Sequence, residues 1–287
     1  MSSHAEMPEL LSSIISWEKE IAKEVPYLET PTGYFLQFKP NDNGAYNCSP
    51  CDSIMFASTG CDGVHYSLLT DFGQTKDLSQ APVICVSPMD FGNCIRIVAN
   101  NLFEFFSLSL QGHEDFLFNN FESQAAYEQF LQEREHAEHS EYFDYSKWKQ
   151  QKEIVRERAV KQFNLKQIDS PYQYVKQLRE KRAASIVLTT ADRLGIMPLQ
   201  PREAGVQRRT HPWSNLELSC YSWNDAWDEV IAFVNSAEIE TLLAFVRDCQ
   251  HYYVDHVRLI RQLQDRLEQL GFHSEAERLM HCMLQQW

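Results

Sequence analysis

The stretch IMFASTGCDGVHYSLLTDFGQTKDLSQAPVICVSPMDFGNCIRIVANNLFEFFSL, residues 54–108, determines the fold that this sequence predicts. Short apolar segments rich in β-branched residues alternate with clusters of Gly, Asp and Pro, which is typical of strands joined by turns. The connections are too short for parallel crossovers, so the strands are expected to pair antiparallel. Asn100 or Asn101 can then cap a closing helix rich in Leu and Phe. The predicted strands are Ile54–Ala57, Val64–Leu69, Val83–Val86 and Ile95–Val98.

The prediction extends outward from this sheet in both directions. Residues 9–25 place apolar side chains at helical spacing, which predicts an amphipathic helix lying on a sheet face. Residues 33–39 alternate weakly and are predicted to begin the sheet. The predicted fold class is therefore α+β, a mainly antiparallel sheet with flanking helices, followed by a largely helical C-terminal region.

The C-terminal region carries helical spacing over most of its length. The predicted elements are a helix after Ser123, helices over 147–163 and from Pro171, strands at 186–190 and 216–220, a helix capped by Asn224, one long helix over 237–270 that ends at Gly271, and a last helix opened by Ser274–Glu277.

Length and charge suggest two domains. A chain of 287 residues exceeds the size at which single cores usually stop growing. Residues 1–145 carry a net charge of −16, residues 146–212 carry +9, and residues 213–287 carry −7. We therefore expect an acidic α+β domain over 1–145 and a mainly helical region over 146–287 whose first part is basic.

The order of motifs in the first half resembles the SUKH superfamily. The resemblance rests on the turn Thr59–Gly63, the strand-ending Thr70–Gly73, a strand led by Pro82, and the closing Asn-Leu-Phe-Glu-Phe-Phe helix from Asn101. It covers roughly residues 9–110. The superfamily contains fungal cell-wall-assembly regulators and many bacterial immunity proteins that neutralise toxins. The resemblance implies a sheet packed by helices and a protein that binds other proteins without catalysing a reaction.

No catalytic or cofactor-binding signature accompanies this pattern. A nucleophile, a base and an orienting group cannot be read together, and neither phosphate-binding glycine motif is present. We therefore expect a protein that is not an enzyme and holds no cofactor. The chain has no apolar run of the ~18–20 residues that span a bilayer, and its first residues lack a signal-peptide pattern, so a cytoplasmic location is expected.

The expected function is binding of another protein, with a basic toxin of the nuclease type as a candidate partner. A domain of charge −16 would steer such a partner and could occupy its phosphate-binding groove. The alternative is an intracellular scaffold or regulatory adaptor. Acids and aromatics on or near the turns are the candidate partner-binding residues, although turn formation and core packing explain the same residue types. They are Asp62, His65, Tyr66, Asp71, Phe72, Asp77 and Asp90.

A third possibility, nucleic-acid binding, comes from the basic segment 147–182. Its cations could contact phosphates, and its aromatic residues could stack on bases. The acidic flanks would repel a polyanion and offer internal partners for the same cations, so nucleic acid is the less favoured partner.

Cys48 and Cys51 form a CxxC motif, but no second close pair follows it. Structural zinc normally has four ligands, so one pair leaves the coordination incomplete. We predict that the purified protein carries less than stoichiometric zinc, as measured by elemental analysis. About one tightly held zinc per chain, lost in Cys48→Ser, would contradict this prediction.

Overall fold

The computed structural model describes residues 5–137, 143–200, 213 and 227–284. Within these ranges the chain forms one antiparallel sheet of five strands, flanking helices and a helical C-terminal region, which confirms the predicted α+β class.

The strands lie in the sheet in chain order, each antiparallel to the next. They are β1 (Phe35–Leu36), β2 (Ser53–Ser58), β3 (His65–Leu69), β4 (Val83–Val86) and β5 (Ile95–Ala99). The four strands predicted from residues 54–108 are present with bounds that differ by at most one residue. Register pairs place Phe35, Ser58, His65, Val86 and Ile95 in one row across the sheet.

The helices predicted in the first two thirds of the chain are present in the predicted order. The α-helices of all the described residues are α1 (Glu9–Ile21), α2 (Leu102–Leu108), α3 (Glu114–Phe118), α4 (Gln124–Ala137), α5 (Tyr145–Phe163), α6 (Pro171–Ser185), α7 (Trp227–Ser236), α8 (Ile239–His251), α9 (Val257–Gln269) and α10 (His273–Leu284). Asn101 caps α2 as predicted, because its side chain accepts a hydrogen bond from the Glu104 N–H at 2.9 Å.

One face of the sheet packs on α1, α2 and α5. Phe56 of β2 meets Phe105 of α2 edge to face, with ring centroids 5.1 Å apart. Leu11 of α1 and Val155 of α5 belong to the same buried cluster. This core therefore joins residues on both sides of position 145.

The other face of the sheet packs against the C-terminal region. Leu69, Ile84 and Ile97 form a separate buried cluster with Leu194, and Tyr253 packs on it. Every residue of β3, β4 and β5 is buried, as expected for strands covered on both faces.

The predicted long helix over 237–270 is wrong, because the chain turns between α8 and α9. Tyr253 has a φ of 56°, and two backbone bonds close the turn, from Tyr253 N–H to Gln250 O at 3.1 Å and from Val254 N–H to Cys249 O at 2.9 Å. This is a Schellman motif with tyrosine where glycine is usual. Residues 251–257 contain neither glycine nor proline, so no local signal marks the end of the helix there. Gly271, by contrast, ends α9 as predicted.

Two smaller predictions also differ from the structure. Residues 186–190 form only a single antiparallel bridge, Leu188 with Ile196, because the chain turns back immediately through residues 190–195. The predicted strand 216–220 and the Asn224 cap lie outside the described residues. The last helix begins at His273, so Ser274 lies inside the helix and is not its N-cap as predicted. Within this helix, Glu275 pairs with Arg278.

Buried ion pairs connect the loops of the sheet to the C-terminal region. Arg247 of α8 and Asp52, next to β2, are both fully buried and bonded to each other. Arg182 of α6 holds Asp71 through two hydrogen bonds of 3.0 and 2.6 Å, and Arg247 lies 3.5 Å from the same carboxylate. Burial raises the pKa of Asp52, and the positive charge of Arg247 opposes that rise.

We predict that Arg247→Met destabilises the protein by about 3–5 kcal/mol, because it leaves the buried Asp52 carboxylate without its cation. Chemical denaturation would measure the loss. The control is Arg261→Met on the exposed face of α9, which should change the free energy of unfolding by less than about 0.5 kcal/mol. Equal unfolding midpoints for the two variants would contradict this role of the ion pair.

Candidate protein-binding surface

Two turns lie at the same end of the sheet because successive strands are antiparallel. Residues 59–64 join β2 to β3, and residues 87–94 join β4 to β5. We call these two turns together the hairpin end. Adjacent strands are ~4.8 Å apart, so the two turns are separated by roughly 10 Å. Both sit directly beyond the row that contains His65 and Val86.

Large apolar side chains are exposed at and beside the hairpin end. Phe91 is 73% exposed and Met89 is 65% exposed, both in the second turn. Phe35 and Tyr46 are 46% and 37% exposed and lie over the first turn. Exposed apolar groups gathered in one place are typical of a protein-binding surface.

Glycines in the first turn allow the two aromatic rings to approach the backbone. A Cβ atom at Gly60 would lie 2.5 Å from Phe35 Cε2, and one at Gly63 would lie 2.3 Å from the Tyr46 hydroxyl. Both glycines also have positive φ values, of 74° and 69°. A side chain at either position would be strained and would displace a ring.

The second turn is held in place from below by a buried arginine. Arg96 is 4% exposed in its side chain and donates to Asp90 at 2.7 Å, to Asn93 O at 3.1 Å and to Phe118 O at 2.6 Å. The turn that carries Phe91 is therefore ordered before any partner binds, which reduces the entropy lost on binding.

The turn between α8 and α9 supports the second turn from the side. Tyr253 donates a hydrogen bond from its hydroxyl to Pro88 O at 3.2 Å, and its ring lies 6.2 Å from that of Phe91. The C-terminal region therefore contributes to the shape of the hairpin end.

Two of the seven candidate residues lie at the hairpin end. Asp62 is exposed in the first turn, and the side chain of Asp90 is 43% exposed in the second. Asp77 is also exposed, but it lies in the connection from β3 to β4 at the opposite end of the sheet. There it accepts a hydrogen bond from Ser79 N–H at 2.9 Å and caps a short 3₁₀ helix.

The other four candidates are buried and present almost no surface to a partner. Asp71 is held by Arg182, and Phe72 packs edge-on to Phe272 with ring centroids 6.0 Å apart. His65 and Tyr66 are each 1% exposed within β3. The structure therefore does not bring the seven residues into one site.

His65 forms a buried polar cluster beneath the first turn. Its Nδ1 lies 2.8 Å from Gly63 O, and its Nε2 lies 3.1 Å from Asn43 O and 3.2 Å from the Ser49 hydroxyl. The Tyr46 ring stacks on the imidazole with centroids 5.9 Å apart. Burial lowers the pKa of His65 and favours the neutral ring.

Cations of the basic segment contact acids of the chain itself. Lys152 lies 3.3 Å from Glu114, Arg158 lies 3.3 Å from Glu24, and Arg182 binds Asp71. All three acids belong to the first 145 residues. Such pairing is expected from the sequence, because the acidic flanks offer internal partners for the cations of the basic segment.

Cys48 and Cys51 are both buried, but each packs in a different cluster. Among the described residues, no three His, Cys, Asp or Glu side chains are arranged to hold a metal ion. The helices in these ranges are also too short or too polar to cross a membrane.

No family model matches the chain, and no curated protein is significantly similar to it. The resemblance to SUKH proteins therefore stays a prediction.

The buried imidazole leads to a prediction about pH. Because folding lowers the pKa of His65, the unfolded chain binds more protons below its ordinary pKa of about 6.5, and stability should fall as pH falls through that value. The pKa of His113 is also lowered, so His113 contributes to the pH dependence of stability in the same direction. The pKa of His251 is raised, so its contribution has the opposite direction. His65→Gln should reduce the slope by up to about 1.4 kcal/mol per pH unit.

Denaturation of wild type and variant between pH 7 and pH 5 would measure this difference. The exposed His273 offers the matched control, His273→Gln. An unchanged slope in His65→Gln would show that its burial does not contribute to acid sensitivity.

Proposed function

We propose that this chain is a non-enzymatic protein-binding module that resembles SUKH immunity proteins and docks a basic protein on the hairpin end. The observation that carries the proposal is the exposure of Phe91 and Met89 on an ordered turn, close to acidic side chains. Rigid apolar anchors with a polar surround are the common form of a binding hot spot.

Charge supports a basic partner. Residues 1–145 carry a net charge of −16, and Asp62 is exposed at the hairpin end. An acidic surface attracts a cationic protein over distances near the Debye length and raises its association rate. Immunity proteins of the kind that the resemblance implies neutralise toxins, and a toxin of the nuclease type carries the required positive charge.

The internal ion pairs of the basic segment favour a protein partner over nucleic acid. Lys152, Arg158 and Arg182 each contact an acid of the same chain, which reduces the positive charge left for phosphates. A polyanion would also meet the acidic surface of the first half.

A pair of charge reversals tests where the partner docks. Asp62→Lys and Asp77→Lys change the net charge equally, but only Asp62 lies at the hairpin end. After a partner is captured from native lysate treated with nuclease, we predict that Asp62→Lys slows its association several-fold more than Asp77→Lys. The difference should shrink as salt increases, because exposed charges are screened.

The apolar part of the surface has its own test. Phe91→Ser should weaken the captured complex at least about tenfold, mainly through faster dissociation, because it removes an exposed anchor. Ile239→Ser, which changes an exposed apolar residue on α8, is the control and should leave the affinity unchanged. Equal effects of the two substitutions, or capture of nucleic acid alone, would contradict the proposal.

A further inference from the structure

A cavity of about 310 Å³ lies between α6 and the connection from α3 to α4. The buried Phe116 and Val175 line it together with the partly exposed Phe121 and Tyr172. All four residues belong to one apolar cluster, so part of the cavity wall is aromatic. Cavities that bind small molecules have volumes of ~300–1,000 Å³ and combine apolar walls with a few polar groups. This cavity has the size expected for a small ligand.

The aromatic part of the wall is held in place by contacts within the protein. The rings of Phe116 and Phe121 stack with centroids 5.7 Å apart. The Tyr172 hydroxyl donates a hydrogen bond to Glu122 O at 2.9 Å, which ties α6 to the connection before α4. A flat ring can therefore pack on a surface that already has its shape, and little entropy is lost in ordering the wall.

The polar part of the lining contains Arg179, whose hydrogen bonds both go to neutral oxygens. Its Nε donates to Ile97 O and its Nη1 donates to Asn120 Oδ1, each at 3.4 Å. By contrast, Arg96 and Arg182 each bind a carboxylate of the chain. Arg179 is exposed and lines the cavity, and a guanidinium has five N–H donors. It therefore keeps donors for a ligand that enters the cavity.

The charges around the cavity favour an anion with a single negative charge. Desolvation, followed by the positive charge of Arg96, lowers the pKa of Arg179, so a nearby anion would relieve an unfavourable environment. Lys176 lies 4.0 Å from Glu180 and is paired with it. The exposed Glu122 also lines the cavity and opposes further negative charge. A carboxylate matches these charges better than a phosphate monoester, which carries about −1.5 to −2 at pH 7.

We propose that this cavity binds a small aromatic carboxylate, with its ring against Phe121 and Tyr172 and its carboxylate on Arg179. A guanidinium presents its N–H groups in a planar fork that fits a carboxylate, and such charge-assisted bonds are stronger than neutral ones. Since Asn120 Oδ1 accepts from Arg179, the amide nitrogen of Asn120 can donate to the same carboxylate. This inference does not depend on the proposed binding function.

Benzoate is the probe that tests the chemistry of the site. In a ligand-observed NMR titration of the full-length protein at pH 7, we expect benzoate to bind with a Kd of about 1 mM or lower. Benzamide has the ring without the charge, and acetate has the charge without the ring. Each should bind at least about tenfold more weakly, because each lacks one of the two contacts. Phenyl phosphate should also bind more weakly than benzoate.

Three results of this titration would overturn the proposal. The first is no benzoate binding at ten times the expected Kd. The second is benzamide or acetate binding as tightly as benzoate. The third is tighter binding of phenyl phosphate, which would show that the site prefers a doubly charged anion.

Two substitutions test the location of the site. Arg179→Gln should weaken benzoate binding at least about tenfold. Lys181→Gln removes an exposed cation of the same helix that does not line the cavity, and it should leave the binding unchanged. Asn120→Asp keeps the shape of the side chain and places a carboxylate beside Arg179. This variant should unfold at the wild-type midpoint or above it, and it should bind benzoate at least about tenfold more weakly. Equal effects of Arg179→Gln and Lys181→Gln, or wild-type binding in folded Asn120→Asp, would overturn the proposal.

Discussion

The packing of the C-terminal region on the sheet depends on charges that are withdrawn from water. Asp52 directly precedes β2 and Asp71 follows β3, and each is neutralised by an arginine from a helix far along the chain, Arg247 or Arg182. A buried carboxylate without its cation is strongly destabilising, so the sheet and these helices adopt the folded arrangement together. The same pairs explain why acids that look like surface residues in the sequence are enclosed.

Helices on both faces leave the strand ends as the main route by which the sheet meets solvent. At one end, the ion pairs around Asp71 bury that acid, while Asp77 in the same connection stays exposed. At the other end, Arg96 orders the turn from below while Phe91 and Met89 stay exposed. The two ends differ in the origin of the arginine that pairs with the acid of each connection. Where the arginines come from distant helices, the acid that they hold is buried, and where the arginine comes from the adjacent strand, the apolar side chains of the turn remain accessible.

Local patterns predicted the local structure well. The strands of residues 54–108, the Asn101 cap and the end of α9 at Gly271 all follow from signals within a few residues. The turn at Tyr253 was missed because a tyrosine carries no such signal. The candidate site was harder to predict, since the partner of Asp71 lies 111 positions away and burial depends on that distant contact. Phe91 and Met89 are not among the predicted binding residues, although their position in a turn with Asp90 and Gly92 was a usable signal of exposure.

The sequence separation within the Asp52–Arg247 pair has a consequence for biosynthesis. The meander of five strands consists of neighbouring contacts and can form early, as in other folds of low contact order. Its second face, however, is covered by residues near Tyr253, and Arg247 is 195 positions beyond Asp52. While the ribosome still holds the last third of the chain, the apolar residues on that face are uncovered and Asp52 lacks its cation, Arg247. We expect the nascent chain to be most prone to aggregation, and most dependent on chaperones, in the interval before α8 emerges.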